Sequence, residues 1–335
     1  MTADLGMMTS REGVSPKTRN LRRWGPRALQ GWTNLDGLFR KACGAFAASI
    51  VALLALVVYQ LVDASRLSID HFGVGFVWEK VWDPVAQKLG AATFVYGTVV
   101  TSTIALLIAV PLGIGIAIFL VELAPRRLGS VVGFLVELLA AIPSIVYGLW
   151  GLFVLAPLVR VWLAPALGKT LGFLPLFSGE SNGVGMLTAG LILSIMVLPF
   201  IAAVSRDVLA AVPQAQREGS LALGTTKWET IWNVVLPYGR VGITGATILA
   251  LGRALGETMA VTMVIGNSPQ IMASLFQPGY TMSAVIANEY SEASGPLYLS
   301  ALTELGLLLF VVTFAVNGAA SLLIWRLTRG PGAHA

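Results

Sequence analysis

The chain has 335 residues, of which 56% are hydrophobic and 12% charged, with a mean hydropathy of +0.78. Soluble domains average about 25% charged residues, so this composition excludes a soluble fold and points to an all-α, polytopic membrane bundle. The net charge of +5 reads as membrane topology rather than affinity for nucleic acid, and long unbroken apolar runs exclude the alternating pattern of a membrane barrel.

In chain order, residues 1–41 are polar and basic, show no early apolar leader segment, and are expected to form a mobile cytoplasmic tail. The single cysteine, Cys43, allows no internal disulfide and no CxxC pair, and reads as an inert small residue opening the first apolar run. A transmembrane domain over 42–327 follows, with 328–335 as a second short cytoplasmic tail. Its six predicted spans are Ala42–Val62, Phe94–Leu120, Leu128–Val159 with an interruption at Pro143, Gly183–Val204, Val241–Ile265 and Leu297–Leu327. Several exceed the ~20 residues that a bilayer needs, so tilt or kinks must absorb the excess, and Pro111 and Pro143 are the candidate kink sites.

Sixteen Lys and Arg residues fall in the tails and the second and fourth loops, against five in the first, third and fifth loops, where Arg160 and Lys169 are the third loop's share. The positive-inside rule then predicts six spans with both termini cytoplasmic. On the fifth span Gly242, Ala246, Ala250 and Ala254 form one row of small residues, and Gly252, Gly256 and Ala260 a second, patterns that let membrane helices approach closely.

Four ionisable residues fall well inside predicted spans: Glu137, Arg253, Glu257 and Glu304. A charge at the bilayer centre costs at least a few kcal/mol, so each should face the bundle interior or a polar partner. Glu137 shares a predicted helix face with Ala141, Ser144 and Gly148, while Glu304 lies near Ser300 and Thr303 at a depth that water reaches from outside. Arg253 is about 18 Å along the fifth span at 1.5 Å per residue, near mid-bilayer. Glu257 follows at i+4, on the same face. Two readings of this pair stay open: a self-neutralising pair that permits insertion, or a polar site on a pathway. An Arg fork suits a tetrahedral oxyanion, and a carboxylate beside it can accept the P–OH proton that phosphate carries near neutral pH and sulfate lacks.

The fourth loop, Gln216 to Pro237, places Leu221, Trp228, Ile231 and Trp232 on a polar segment that needs a partner to cover them. It also carries Glu218-Gly219-Ser220, then Gly224 six positions after the Glu, and closes on Leu236-Pro237. This pattern resembles the EAA loop of ABC importer permeases, with Gly-Ser standing where the family has Ala-Ala. Two further stretches, Ala141-Ile142-Pro143-Ser144-Ile145-Val146-Tyr147-Gly148-Leu149 and Gly252-Arg253-Ala254-Leu255-Gly256-Glu257-Thr258-Met259-Ala260-Val261, resemble signatures of phosphate-importer permeases.

The resemblance implies the type I ABC importer permease fold and a role in moving inorganic phosphate across the cytoplasmic membrane. It implies three kinds of partner besides the lipid bilayer: a second homologous permease of PstA type, two ATPase subunits, and an extracytoplasmic phosphate-binding protein. It assigns Glu218, Gly219, Ser220 and Gly224 to ATPase coupling, with Gly224 where the chain turns into the coupling helix. Arg253 and Glu257 are assigned to the substrate pathway, which Glu137, Ser144 and Glu304 join as candidates. No cofactor is expected on this chain, because ATP and magnesium would act through the ATPase partner. Gly168-Lys169-Thr170 ends like a P-loop, but Leu163 stands where the first glycine is required.

Two other readings carry less. An intramembrane enzyme needs a base or an Asp dyad at membrane depth, whereas both histidines, His71 and His334, lie outside the spans. Import of another oxyanion, such as sulfate or molybdate, is disfavoured by Glu257.

Overall fold

The computed structural model describes residues 26–328. The outer parts of both expected tails, 1–25 and 329–335, lie outside the described residues. The chain divides into two compact units, one up to Val57 and one from Val58 onward. Helix α1 (Pro26–Phe72) runs through both, so the part of the expected tail from Pro26 to Lys41 is helical. In the first unit its apolar side chains, among them Phe46, Ile50 and Leu53, are exposed, as suits a helix whose solvent is lipid or another membrane helix.

The second unit continues with a short helix α2 (Gly75–Trp78) and a hairpin of β1 (Trp82–Asp83) and β2 (Lys88–Leu89), antiparallel, pairing Trp82 with Leu89 and Asp83 with Lys88. Then come α3 (Ala92–Leu123), α4 (Arg126–Ala140), α5 (Ser144–Leu171), α6 (Met186–Ala210) and α7 (Gln214–Ala222). The remaining helices are α8 (Lys227–Gly256), α9 (Met259–Val264), α10 (Met282–Glu289) and α11 (Pro296–Thr328). By length and composition six of them can cross a membrane: α3, α5, α6, α8, Gly37–Phe72 of α1 and Pro296–Leu322 of α11.

Helix α6 is the centre of the bundle, with two-thirds of its most apolar window (67%) buried, whereas 28% is buried in each of α3, α5, α8 and α11. Small residues bring its neighbours close. A Cβ added at Gly190 would come within 2.5 Å of Ile104 on α3, and one at Gly242 on α8 within 2.5 Å of Val208. The first row of small residues on α8 therefore packs as expected, and its Ala246, Ala250 and Ala254 are buried. The main core joins Ala105 and Ala109 of α3 to Ile192, Leu193 and Val197 of α6 and to Ala250 and Ala254 of α8. No side chain caps the start of α6; instead its first amides bond main-chain carbonyls of the 264–277 segment, Gly185 to Val264 (3.0 Å) and Leu187 to Leu275 (2.8 Å).

Three spans differ from the sequence expectation, the first because it runs over Gly37–Phe72 rather than Ala42–Val62 and takes in Arg66. The third is Ser144–Leu171, not Leu128–Val159. Pro143 disfavours helical geometry at Ile142 and cannot donate its own amide, so the chain breaks there instead of kinking. Residues before the break form the separate α4, and Arg160 and Lys169 lie within α5 rather than in a loop. Two widened turns, Gly151–Leu155 and Val159–Leu163, absorb part of the length of α5. The fifth span breaks as well: α8 ends at Gly256, and the chain resumes as α9 after two non-helical residues. The second row of small residues is thereby interrupted, and Gly256 faces open space. Pro111, by contrast, is accommodated inside a continuous α3.

Candidate functional site

The break between α8 and α9 sits near the middle of the bundle. Gly242 packs on Val208 near one end of α6, and the carbonyl of Val264 meets the amide of Gly185 at the other. Arg253 and Glu257 fall between these levels. Glu257 has extended backbone (φ −68°, ψ 132°), and its carboxylate Oε1 accepts the Ala260 amide at 3.3 Å, which holds it over the N-terminus of α9. Ser283 of α10 donates to the Glu257 carbonyl at 2.7 Å, and the Thr258 hydroxyl donates to the Gly256 carbonyl at 3.3 Å. Hydroxyls thus satisfy carbonyls freed by the missing helical turn.

Arg253 and Glu257 do not share a helix face, because the helix ends between them. No salt bridge joins them among the described residues. Arg253 is exposed on the last turn of α8, and Glu257 is half-buried. A self-neutralising pair is therefore not what this fold builds.

Tyr147 and Gly148 of α5 border the same region. Gly148 lies against Ala260 and Met263 of α9, the Tyr147 hydroxyl donates to the Leu139 carbonyl at 2.7 Å, and Arg253 is within charge range of that hydroxyl. The two signature stretches, over a hundred residues apart in sequence, are in contact here. Ser144 opens α5 one turn earlier and is half-buried.

Glu137 and Glu304 lie elsewhere. Glu137 is on α4, outside any span, and its carboxylate accepts a 2.8 Å hydrogen bond from Arg206 of α6, both groups partly exposed. The break at Pro143 removes the continuous face with Ala141, Ser144 and Gly148 that the sequence suggested. Glu304 is buried between α11 and the far end of α1, beside Ser68; Ser300 bonds the Ser68 amide (3.0 Å) and the Ala64 carbonyl (2.8 Å). One Glu304 oxygen finds no partner among the described residues. Nearby, burial pushes the Tyr280 hydroxyl up to about 12, so it stays neutral where Asn288 donates to it at 3.0 Å.

The fourth loop forms a compact module. Glu218, Gly219 and Ser220 are in α7, whose first two members are exposed. Gly224 ends this helix rather than leading into it: its φ is +88°, and its amide bonds the Leu221 carbonyl at 3.0 Å. The hydroxyls of Ser220, Thr225 and Thr230 bond one another at 2.8–3.1 Å, and Thr226 with Glu229 forms a capping box that starts α8. Leu221, Leu223, Trp228 and Trp232 are exposed, whereas Ile231 is buried in this chain's own core and needs no partner. Sequence reasoning missed the hydroxyl triangle, because nothing in the spacing shows three hydroxyls meeting across a turn. It counted Arg217 only as a basic residue and passed over Glu122, its half-buried partner at 2.9 Å. Among the described residues no group of three His, Cys, Asp or Glu could hold a metal.

Residues 109–329 match the family described as binding-protein-dependent transport system inner membrane component. The chain is 49% identical over 302 residues to the phosphate transport system permease protein PstC of Mesorhizobium japonicum, covering 89% of this chain and 92% of that protein. It is 50% identical to PstC of Pasteurella multocida over the same share of this chain and 94% of that protein. The chain belongs to this family of PstC permeases. A probable PstC of Methanocaldococcus jannaschii is 41% identical over 281 residues, covering 82% of this chain and 89% of that protein. The fold agrees. A chain of a bacterial alginate ABC transporter crystal structure superposes with a TM-score of 0.58 at 16% identity, covering 89% of this chain and 98% of that one. The chain is therefore a multi-pass inner membrane permease subunit with the type I ABC importer fold.

Proposed function

We propose that this PstC-family permease carries inorganic phosphate inward across the cytoplasmic membrane as one half of the translocation pathway of an ATP-driven importer. The supporting observation is the break in α8: it leaves Arg253 exposed and without an ion pair among the described residues, at mid-bundle, with Glu257 held on the next turn of chain. A cation at that depth costs several kcal/mol unless something meets it, and a passing anion does. Arg253 supplies the bidentate fork, and Glu257 supplies the acceptor for a phosphate P–OH. Ser144, beside Tyr147, adds a hydroxyl at the rim.

Glu137, paired with Arg206, is given a structural place at the α4–α6 contact in this reading, and Glu304 a place in the outer half of the bundle. Module α7, with Glu218, Gly219, Ser220 and the Gly224 stop, presents Glu218 and Leu223 to a cytoplasmic ATPase subunit, one of two, which hydrolyses ATP with magnesium. A second permease of PstA type completes the pathway, and a phosphate-binding protein delivers the anion on the outer side. Both termini are cytoplasmic in this arrangement. The test is uptake of radiolabelled phosphate by vesicles containing the full complex, with sulfate as competitor. Phosphate uptake that sulfate does not compete away is expected; equal competition sinks the phosphate assignment.

A further inference from the structure

Helix α7 has no buried residue. An element that takes force from a partner must nevertheless be fixed to the helices it moves, and apolar packing does not fix this one. A cavity of about 360 Å³ lies under it, bordered by Val121, Ala210, Gln214 and Leu221. What crosses that gap is one side chain. Arg217 turns inward while its neighbour Glu218 faces solvent, and its guanidinium serves three partners on two segments, the end of α3 and the end of α6. Nε donates to Glu122 Oε1 in the last turn of α3 at 3.0 Å, and Nη2 lies 2.9 Å from the same oxygen. Nη2 also donates to the Leu209 carbonyl in the last turn of α6 at 2.7 Å, and Nη1 donates to the Val212 carbonyl just beyond it.

The chemistry suits a joint. The last carbonyls of α6 have no intrahelical partner and carry the negative end of the helix dipole, so a cation there is stabilised twice. Both charged side chains are largely removed from solvent, at 13% and 15% exposure, so separating them would leave a desolvated, unpaired charge. Beneath them Ala117 and Ile118 of α3, Leu209, Val212 and Ile243 form one apolar cluster. The ends of α3 and α6 are therefore packed as one unit. The only other tie from α7 found among the described residues, the Ser220–Thr225–Thr230 triangle, leads into α8.

We propose that Arg217 is the positioning residue that transmits displacement of α7 to α3 and α6, with Glu122 as its anchor. This rests on the reading of α7 as the ATPase-docking element. The test uses the full complex in vesicles: this chain, the second permease, the ATPase subunits and the phosphate-binding protein. Variants Arg217→Gln, Arg217→Lys and Glu122→Gln are compared for ATPase retention on purification and for phosphate imported per ATP hydrolysed.

The expected result is retained ATPase subunits with at least a tenfold fall in phosphate per ATP in Arg217→Gln and Glu122→Gln. Arg217→Lys, which keeps a cation between Glu122 and the end of α6, should recover several-fold over Arg217→Gln, which a merely structural loss would not do. Unchanged phosphate per ATP in Arg217→Gln and Glu122→Gln overturns the proposal. Loss of the ATPase subunits from Glu122→Gln, a shape-preserving change away from the exposed face of α7, also overturns it, since the pair would then build the docking surface rather than transmit. Failure of the docking reading itself shows separately, as normal ATPase retention and normal uptake in Glu218→Lys.

Discussion

At the scale of single residues, Arg253 is the side chain whose environment the bilayer tolerates least, and its chemistry is the most exposed to test. Arg253→Lys keeps the charge but loses the fork, so phosphate uptake should fall by about tenfold or more while the complex still assembles. Glu257→Gln turns an acceptor-only group into a mixed donor and acceptor. It should lose uptake, or gain sulfate-stimulated ATP hydrolysis in complexes freed of the binding protein's selectivity. Normal uptake by both variants would leave the residues as mere tenants of the break in α8. Ser220 has a different part. It stands where the EAA pattern has Ala, and its hydroxyl bonds Thr225 at 2.8 Å and Thr230 at 3.1 Å. Ser220→Ala should therefore cost about 1 kcal/mol in the stability of the module, read as a lower unfolding temperature with ATPase subunits still attached. An unchanged melt would show that the two threonines suffice.

Among the elements, α7 and the break in α8 depend on backbone more than on side-chain packing. Gly224 has φ +88°, and a Cβ there would meet nothing within 4 Å. The position needs glycine for its left-handed conformation, not for room within this chain. A β-branched residue resists that conformation at a cost of about 1–2 kcal/mol or more, so Gly224→Val should unseat the end of α7 and reduce ATPase co-purification or the coupling of hydrolysis to uptake. Gly224→Asn, which tolerates left-handed backbone, should retain most of both. Equal effects of Val and Asn would contradict the conformational argument. Packing decides at Gly190: its Cβ would press into Ile104 at 2.5 Å. Gly190→Leu should destabilise the α3–α6 contact by about 1–3 kcal/mol, visible as a reduced yield and melting temperature of the complex.

For the whole molecule, sidedness is directly measurable. In a Cys43→Ser background, cysteines at Val85 (95% exposed) and at exposed Glu180 should react with an impermeant thiol reagent added outside. A cysteine at exposed Gln216 should react only after permeabilisation. The reverse pattern would place α7 on the wrong side for an ATPase and overturn the coupling reading with it. Gly279 does not suit this experiment although it lies in the fifth loop, because a side chain there would collide with Met186 at 2.8 Å.

Composition and hydropathy were enough to determine a six-helix membrane protein, because a bilayer demands ~20 apolar residues per crossing and that demand is written locally in the chain. Short motifs were enough to point to the family, since Glu218, Gly224 and the 252–261 stretch carry their spacing within one segment. Three-dimensional structure alone decided what those residues touch. Apolar runs do not show where helices end, so the sequence joined α4 to α5 across Pro143 and α8 to α9 across Glu257. Each error rotated a carboxylate onto the wrong face: Glu137 belongs with Arg206, and Glu257 with the start of α9 and Ser283. Arg217 and Glu122 are 95 positions apart and look like two ordinary charges at the edges of apolar runs. Only the packing of α3 against α6 brings them together, because ion pairing depends on distance through space, which no local pattern in a single sequence encodes.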